Sequence, residues 1–199
     1  MADGLFDFDE AANVIKARRL WHEAGDPDDD AERLLRGWRG IPPWPTALRF
    51  SPECYHSPLG RSFPALIAAV TDDSGRVFGI ARHYLDDEAR PRNLMLGEIG
   101  GHAVRLGAHR RGGDLFVVEG LVLAIRLHFA RGGGNVIWCP LTASGIARVT
   151  LPPEANVLVV PTSAAGRAAA EKRGLLTFAD GLDRLANMVM GRRRRAGER

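Results

Sequence analysis

Cysteine is nearly missing: Cys54 and Cys139 are the only two in 199 residues, far apart and without a CxxC pair. That excludes a disulfide framework and a self-contained zinc ribbon, and it fits a reducing compartment. The two read as packed or surface thiols, or as ligands that would need histidines to complete a metal site. Lysine is equally scarce, since Lys16 and Lys172 are the only lysines among 27 basic residues. Arginine is the better bidentate reader of phosphate, but arginine in place of lysine, with abundant Ala, Gly and Pro, is also what GC-rich coding produces. No apolar run approaches the roughly 18–20 residues of a membrane span. The opening MADGLFDFDE is acidic and reads as neither a secretory signal nor a transit peptide. The expectation is a cytoplasmic protein with no membrane partner.

Hydrophobic residues make up 45% and charged residues 26%, a balance that supports a folded core rather than disorder. The length suffices for one sizeable core or two small lobes sharing a surface. A net charge of +3 and a pI near 9.3 permit nucleic acid as a partner without demanding it.

Two regimes follow one another along the chain. Residues 9–24 place Ala12, Ile15, Arg19 or Leu20, and Glu23 at helical spacing, with Val14, Leu20 and Trp21 widening the apolar stripe. A second helix is expected after Asp29 or Asp30 and stops at Gly37, Gly40 and Pro42-Pro43. TALRF at 46–50, FPALIAAV at 63–70 and RVFGIARHYL at 76–85 read as strands, the last two forming a hairpin around Asp72-Asp73-Ser74-Gly75. Residues 93–107 add one or two short strands to this antiparallel half.

From 114 the period changes. Strands at 114–120, 135–140 and 155–161 alternate with helices at 121–132, 142–149 and 163–176, and a last helix is expected at 180–191. This is the signature of βαβ units and a parallel sheet. The expected organisation is an N-terminal α+β lobe at 1–112, an α/β domain at 113–191, and a basic disordered tail at 192–199.

In an open parallel sheet, chemistry collects where strands end and helices begin. Three such places stand out: Glu119-Gly120, Cys139-Pro140 with Thr142 and Ser144, and Pro161-Thr162-Ser163. Glu119 follows LFVV directly, so its carboxylate either ligates magnesium or acts as a base, or serves as an acid favoured by a helix dipole. Thr142-Ala143-Ser144-Gly145 reads as an anion-binding helix start or as an ordinary cap. His56, His102 and His109 fall in turns and His128 in a helix, with no metal-ligand spacing. Gly132-Gly133-Gly134 is a turn, not a phosphate loop, because no Lys-Ser/Thr follows.

VVEGLVLAIRL, then VIWCPLTASGIARVTLPPEANVLVVPTSAAGRAAAEKRG, resembles the Toprim domain of primase-like proteins of plasmids, phages and mobile elements. Upstream, the Leu-Arg-Phe strand and FPALIAAVTDDSGRVFGIARHYLD match the lobe that precedes it, so the similarity spans roughly residues 15–176. The resemblance implies a Toprim-type, mostly parallel sheet flanked by helices, preceded by a small α+β lobe with an antiparallel sheet. It places Glu119 on the Toprim glutamate, the catalytic and metal-ligating acid. The Asp-x-Asp pair falls on Pro161 and Ser163, so both acids are missing. The polar start of the helix after Glu-Gly is replaced by Leu121, Val122, Leu123 and Ala124. One carboxylate is a weak magnesium site, unless Asp114, Asp180 or Asp183 is recruited. No cofactor is therefore expected, with magnesium required only if the protein is an active primase. The N-terminal zinc module of bacterial-type primases has no counterpart here. The resemblance further implies a basic surface in the first lobe, where Arg82, His83 and Arg92 lie near Tyr84, whose ring could stack a base, with Arg105 beyond. The expected partner is single-stranded DNA or RNA, or a replication protein. The alternatives are an active magnesium-dependent DNA primase and a protein-interaction module that binds no nucleic acid.

Overall fold

The computed structural model describes residues 5–27, 44–130 and 135–178. The expected second helix, the last helix at 180–191, the glycine turn at 132–134 and the tail lie outside these residues.

The first half is a helix on an antiparallel sheet. Helix α1 (Leu5–Glu23) lies against strands β3 (Val77–Tyr84) and β4 (Asn93–Gly97). Its buried side is Val14, Ala17, Trp21 and Ala24, while Ile15 is 65% exposed. The helix is therefore rotated from the stripe drawn through Ala12 and Ile15, because Trp21 carries the larger apolar area and takes the core. Strands β1 (Leu48–His56) and β2 (Arg61–Thr71) complete a sheet of order β1-β2-β3-β4, antiparallel throughout. Strand β1 runs past the expected TALRF because a bulge between Ser51 and Cys54 absorbs Pro52 on an edge strand, where a missing N–H is tolerated. The β2–β3 turn forms as expected: Asp72 Oδ1 accepts from Ser74 N, Ser74 Oγ and Arg76 N.

The second half is a five-stranded sheet of order β5-β7-β6-β8-β9. Its strands are β5 (Val104–Leu106), β6 (Asp114–Val118), β7 (Ile137–Cys139), β8 (Asn156–Val160) and β9 (Leu176–Thr177). Strands β7, β6, β8 and β9 are parallel, and β5 closes the β7 edge antiparallel. Three helices connect them: α2 (Leu121–Ala130), α3 (Ala143–Arg148) and α4 (Ala164–Lys172). The fold class is thus α/β, as the alternation predicts.

Two elements differ from the sequence reading. Helix α4 stops at Lys172, Gly174 turns the chain at φ 65, and Leu176–Thr177 form β9 instead of a last helical turn. Strand β5 lies within 1–112 yet hydrogen-bonds into the second sheet, where Val104 and Leu106 are fully buried.

Three apolar clusters give the layer order. Ala17 and Trp21 pack with Ile67, Ile80 and Tyr84 on the outer face of the first sheet. The inner face, through Leu66, Ala68, Val70 and Ala81, shares one core with α2 and with Val104, Val118, Ile137 and Val160 of the second sheet. Helices α3 and α4 cover the far face through Ile146, Val149 and Ala170 against Leu115, Val117 and Val159. Because α2 sits inside the shared core, its start must be apolar, which accounts for Leu121 and Ala124. Among the described residues, no helix is long and apolar enough to cross a membrane.

Candidate functional site

Strands β6 and β8 are parallel neighbours, but the chain leaves them toward opposite faces. After β6 it passes Gly120 into α2 on the shared-core face; after β8 it passes 161–163 into α4 on the other. Such a divergence opens a crevice at the carboxyl ends of the strands. Glu119 and the 161–163 segment meet there.

Glu119 is 6% exposed, and its carboxylate is met by Thr162 and Ser163. The Thr162 and Ser163 amides donate to Oε2 at 2.7 and 2.9 Å, and the Thr162 hydroxyl donates to the same oxygen at 3.1 Å. The Ser163 hydroxyl donates to Oε1 at 2.7 Å. A carboxylate offers about four acceptor positions, two on each oxygen; three donors crowd Oε2 and one meets Oε1. Burial is the largest single influence on Glu119 and would raise its pKa. The hydrogen bonds from the Ser163 hydroxyl, the Thr162 amide and hydroxyl, and the Ser163 amide outweigh it and hold the carboxyl below its usual range.

Local sequence explains the arrangement. Ser163 is the N-cap of α4, accepting from Gly166 N at 2.9 Å while its own hydroxyl proton goes to Glu119. A Cβ on Gly166 would lie 2.4 Å from Glu119 Oε2, so glycine leaves the space the carboxylate fills. Glu119 thus sits at the head of α4, across the sheet, rather than capping the helix that follows it. Beside it, burial pushes the Cys139 thiol up to about 12, and the thiol points to the Glu119 carbonyl at 3.6 Å. Both cysteines are buried.

The third strand end is a tight turn. Leu141 adopts φ 68, and Thr142 N bonds to Pro140 O at 2.8 Å, a three-residue turn of the kind that stores strain near functional sites. Nothing in the leucine itself signals this conformation. Thr142 caps α3 by accepting from Gly145 N at 2.9 Å, an ordinary cap.

Magnesium, which the resemblance implies, needs several hard oxygen ligands. Among the described residues the donor set does not fit it: a single carboxylate, engaged by four N–H and O–H donors, meets two hydroxyls and no second acid. Asp114 is at the other end of β6, roughly 16 Å away at 3.3 Å per residue, and cannot be recruited. Asp180 and Asp183 lie outside the described residues. Among the described residues, no group of three His, Cys, Asp or Glu is placed to hold a metal.

The residues expected to contact nucleic acid do not form one surface. Arg82 and His83 are consecutive on β3 and face opposite sides of the sheet. Arg82 is buried beside Ile80 and Tyr84, with Nη1 donating to Tyr55 O at 3.2 Å. His83 contacts Asn93 Oδ1 at 2.7 Å, and burial lowers its pKa. Tyr84 corrects the sequence reading. It is 0% exposed, its ring is edge-on to His56 at 4.6 Å, and its hydroxyl donates to Tyr55 O at 2.7 Å, so no face is open to a base. Arg92 pairs with Asp87. Arg105, on the second sheet, pairs with Asp73 at 2.6 Å and lies over the Trp138 ring at 4.0 Å. Among the described residues of this lobe, the exposed aromatic is Tyr55, 55% exposed, next to the β1–β2 turn that leads to Arg61. The bulge in β1 sets its direction, which alternation alone does not foresee.

Residues 11–106, just under half the chain, match a domain of unknown function (DUF7146). No curated protein is matched by the sequence. Among solved structures, the chain is similar to a DnaG primase catalytic domain bound to ssDNA, at 17% identity and a TM-score of 0.55, covering 90% of this chain and 75% of that one. It is also similar to the RNA polymerase domain of Mycobacterium tuberculosis primase DnaG (15% identity, TM-score 0.49, 94% and 80% covered). A third match is the primase fragment of the bacteriophage T7 primase-helicase protein (14% identity, TM-score 0.44, 54% and 47% covered). The chain therefore spans about half of the phage fragment and three quarters of the DnaG catalytic domain. Its fold, an antiparallel four-stranded sheet joined to a mostly parallel second sheet flanked by helices, is that of a primase catalytic core.

Proposed function

We propose that this chain is a Toprim-type, primase-like core with a degenerate acid site, serving DNA replication of a plasmid, phage or mobile element. In this reading it binds single-stranded nucleic acid and carries little or no metal-dependent catalysis. The observation that supports it is the fate of the single acid at the crevice: Glu119 spends its acceptor positions on Thr162 and Ser163, where the resemblance would put an aspartate pair. Nucleotidyl transfer needs a cation that neutralises the transferring phosphate, and among the described residues no group of three His, Cys, Asp or Glu is placed to hold one. The enzyme alternative, an active DNA primase, requires magnesium-dependent primers that vanish on Glu119→Gln.

Strand binding in this account uses the first lobe, with Tyr55 in the stacking role and Arg61 near the same turn. The test is fluorescence anisotropy with labelled single-stranded DNA and RNA at low salt, alongside a primer-synthesis assay with magnesium. Binding without primer product is expected, with affinity falling steeply as salt rises. Tyr55→Ala should weaken binding about fivefold, the equivalent of about 1 kcal/mol of stacking. Primer formation would refute the reading. A second reading, a module that engages a replication protein without touching nucleic acid, is favoured by one observation. Arg82, Arg92 and Arg105 are all engaged within the chain. Absence of strand binding even at low salt would select it.

A further inference from the structure

We propose that residues 162–163 form a permanently filled anion seat at the head of α4, with the Glu119 carboxylate as its internal ligand, and that this contact fastens β6 to β8 and α4 without a metal ion. The inference does not depend on whether the chain binds nucleic acid. Two consecutive peptide N–H groups converge on one carboxylate oxygen at 2.7 and 2.9 Å, which makes the seat electropositive. A cation placed at Oε2 would face those N–H dipoles positive end first. The hydroxyls have the same sense. Ser163 Oγ accepts from Gly166 N, which directs its proton toward Oε1, so it presents hydrogen rather than a lone pair to the carboxylate. Gly166 lacks the Cβ that would displace the carboxylate. Glu119 is buried beneath the seat while Thr162 and Ser163 are exposed, so a small anion reaches the seat once the side chain is removed. The seat selects a carboxylate-sized anion by its donors, as helix heads and successive amides do elsewhere.

The experiment is thermal unfolding of the full chain, its Glu119→Ala variant and its Glu119→Gln variant, each with EDTA, with manganese chloride, and with sodium formate against equal sodium chloride. The parent should melt at the same temperature with EDTA and with manganese. Glu119→Ala should melt roughly 4–10 °C lower, and formate, but not chloride, should restore part of the loss. Glu119→Gln should fall as well, because its amide presents protons to the seat's donors. Manganese that raises the melting temperature of the parent but not of Glu119→Ala would overturn the proposal. So would a Glu119→Ala variant as stable as the parent. Should the variants fail to fold, electron paramagnetic resonance of manganese titrated into the parent decides. An undiminished free-ion signal is expected, and stoichiometric loss of that signal contradicts the seat.

Discussion

Glu119 is ionised in the fold more readily than in an unfolded chain, and this fixes the sign of its pH dependence. Its folded pKa lies below the unfolded value, so the unfolded state binds the proton more readily and stability declines as pH falls through and below the usual glutamate range. Above that range the contribution is complete. Losing the carboxylate should cost about 2–4 kcal/mol, from charged hydrogen bonds removed and donors left unpaired. Urea melts of the parent and of Glu119→Gln at pH 7, 5 and 4 check this, the gap between them narrowing as pH drops. Gly166→Ala acts on the same contact from outside: a Cβ 2.4 Å from Oε2 forces the carboxylate off its donors. A loss of about 1–3 kcal/mol is expected, read as a lower urea midpoint. The cysteines provide an independent check. Both are buried, and Cys139 is pushed up to about 12, so neither should react with a thiol reagent in the native protein, whereas both should react in denaturant.

Elements rather than single residues decide whether a metal-binding acid set can be built at this strand edge. Pro161 and Ser163 stand at the carboxyl end of β8 and the N-cap of α4, on the strand adjacent to Glu119. Replacing both with aspartate, as Pro161→Asp with Ser163→Asp, would bring three carboxylates to one strand edge. That variant should melt below the parent in EDTA, from like-charge repulsion, and should recover when manganese is added. Calorimetric titration with manganese measures the gain. At this scale much was legible in advance. The hairpin around Asp72–Gly75, the βαβ alternation and the strand-end position of Glu119 all follow from period and turn chemistry. What was not legible has physical causes. Gly174 in a left-handed turn cut the last helical turn short and freed Leu176–Thr177 to pair with β8. Spacing alone permits an α1 stripe through Ile15, because it does not say which apolar face meets the sheet. Sequence neighbours suggest Tyr84 as a stacking residue, but its side of β3 is covered by α1, and spacing alone does not show that cover.

The whole molecule is held together by contacts between its two sheets. One apolar core runs from Leu66 and Val70 through α2 to Val118 and Val160. Thr71 and Ala103 exchange backbone bonds at 3.0 and 3.3 Å across the junction, and Arg105 reaches Asp73. A shared core predicts one cooperative unfolding transition, with tryptophan fluorescence and far-ultraviolet circular dichroism coincident in urea; two separated transitions would show that the sheets unfold independently. The candidate site was legible only in part for a related reason. The resemblance sets an expected aspartate pair on Pro161 and Ser163, but it does not foresee that the amides and hydroxyls of Thr162 and Ser163 bond to Glu119. The measurement that bears most directly on this is a crystal structure of the protein soaked in manganese. No ion is expected at Glu119, with the carboxylate still bonded to the amides and hydroxyls of residues 162 and 163. An ion bound between Glu119 and other converging acidic side chains would contradict that expectation.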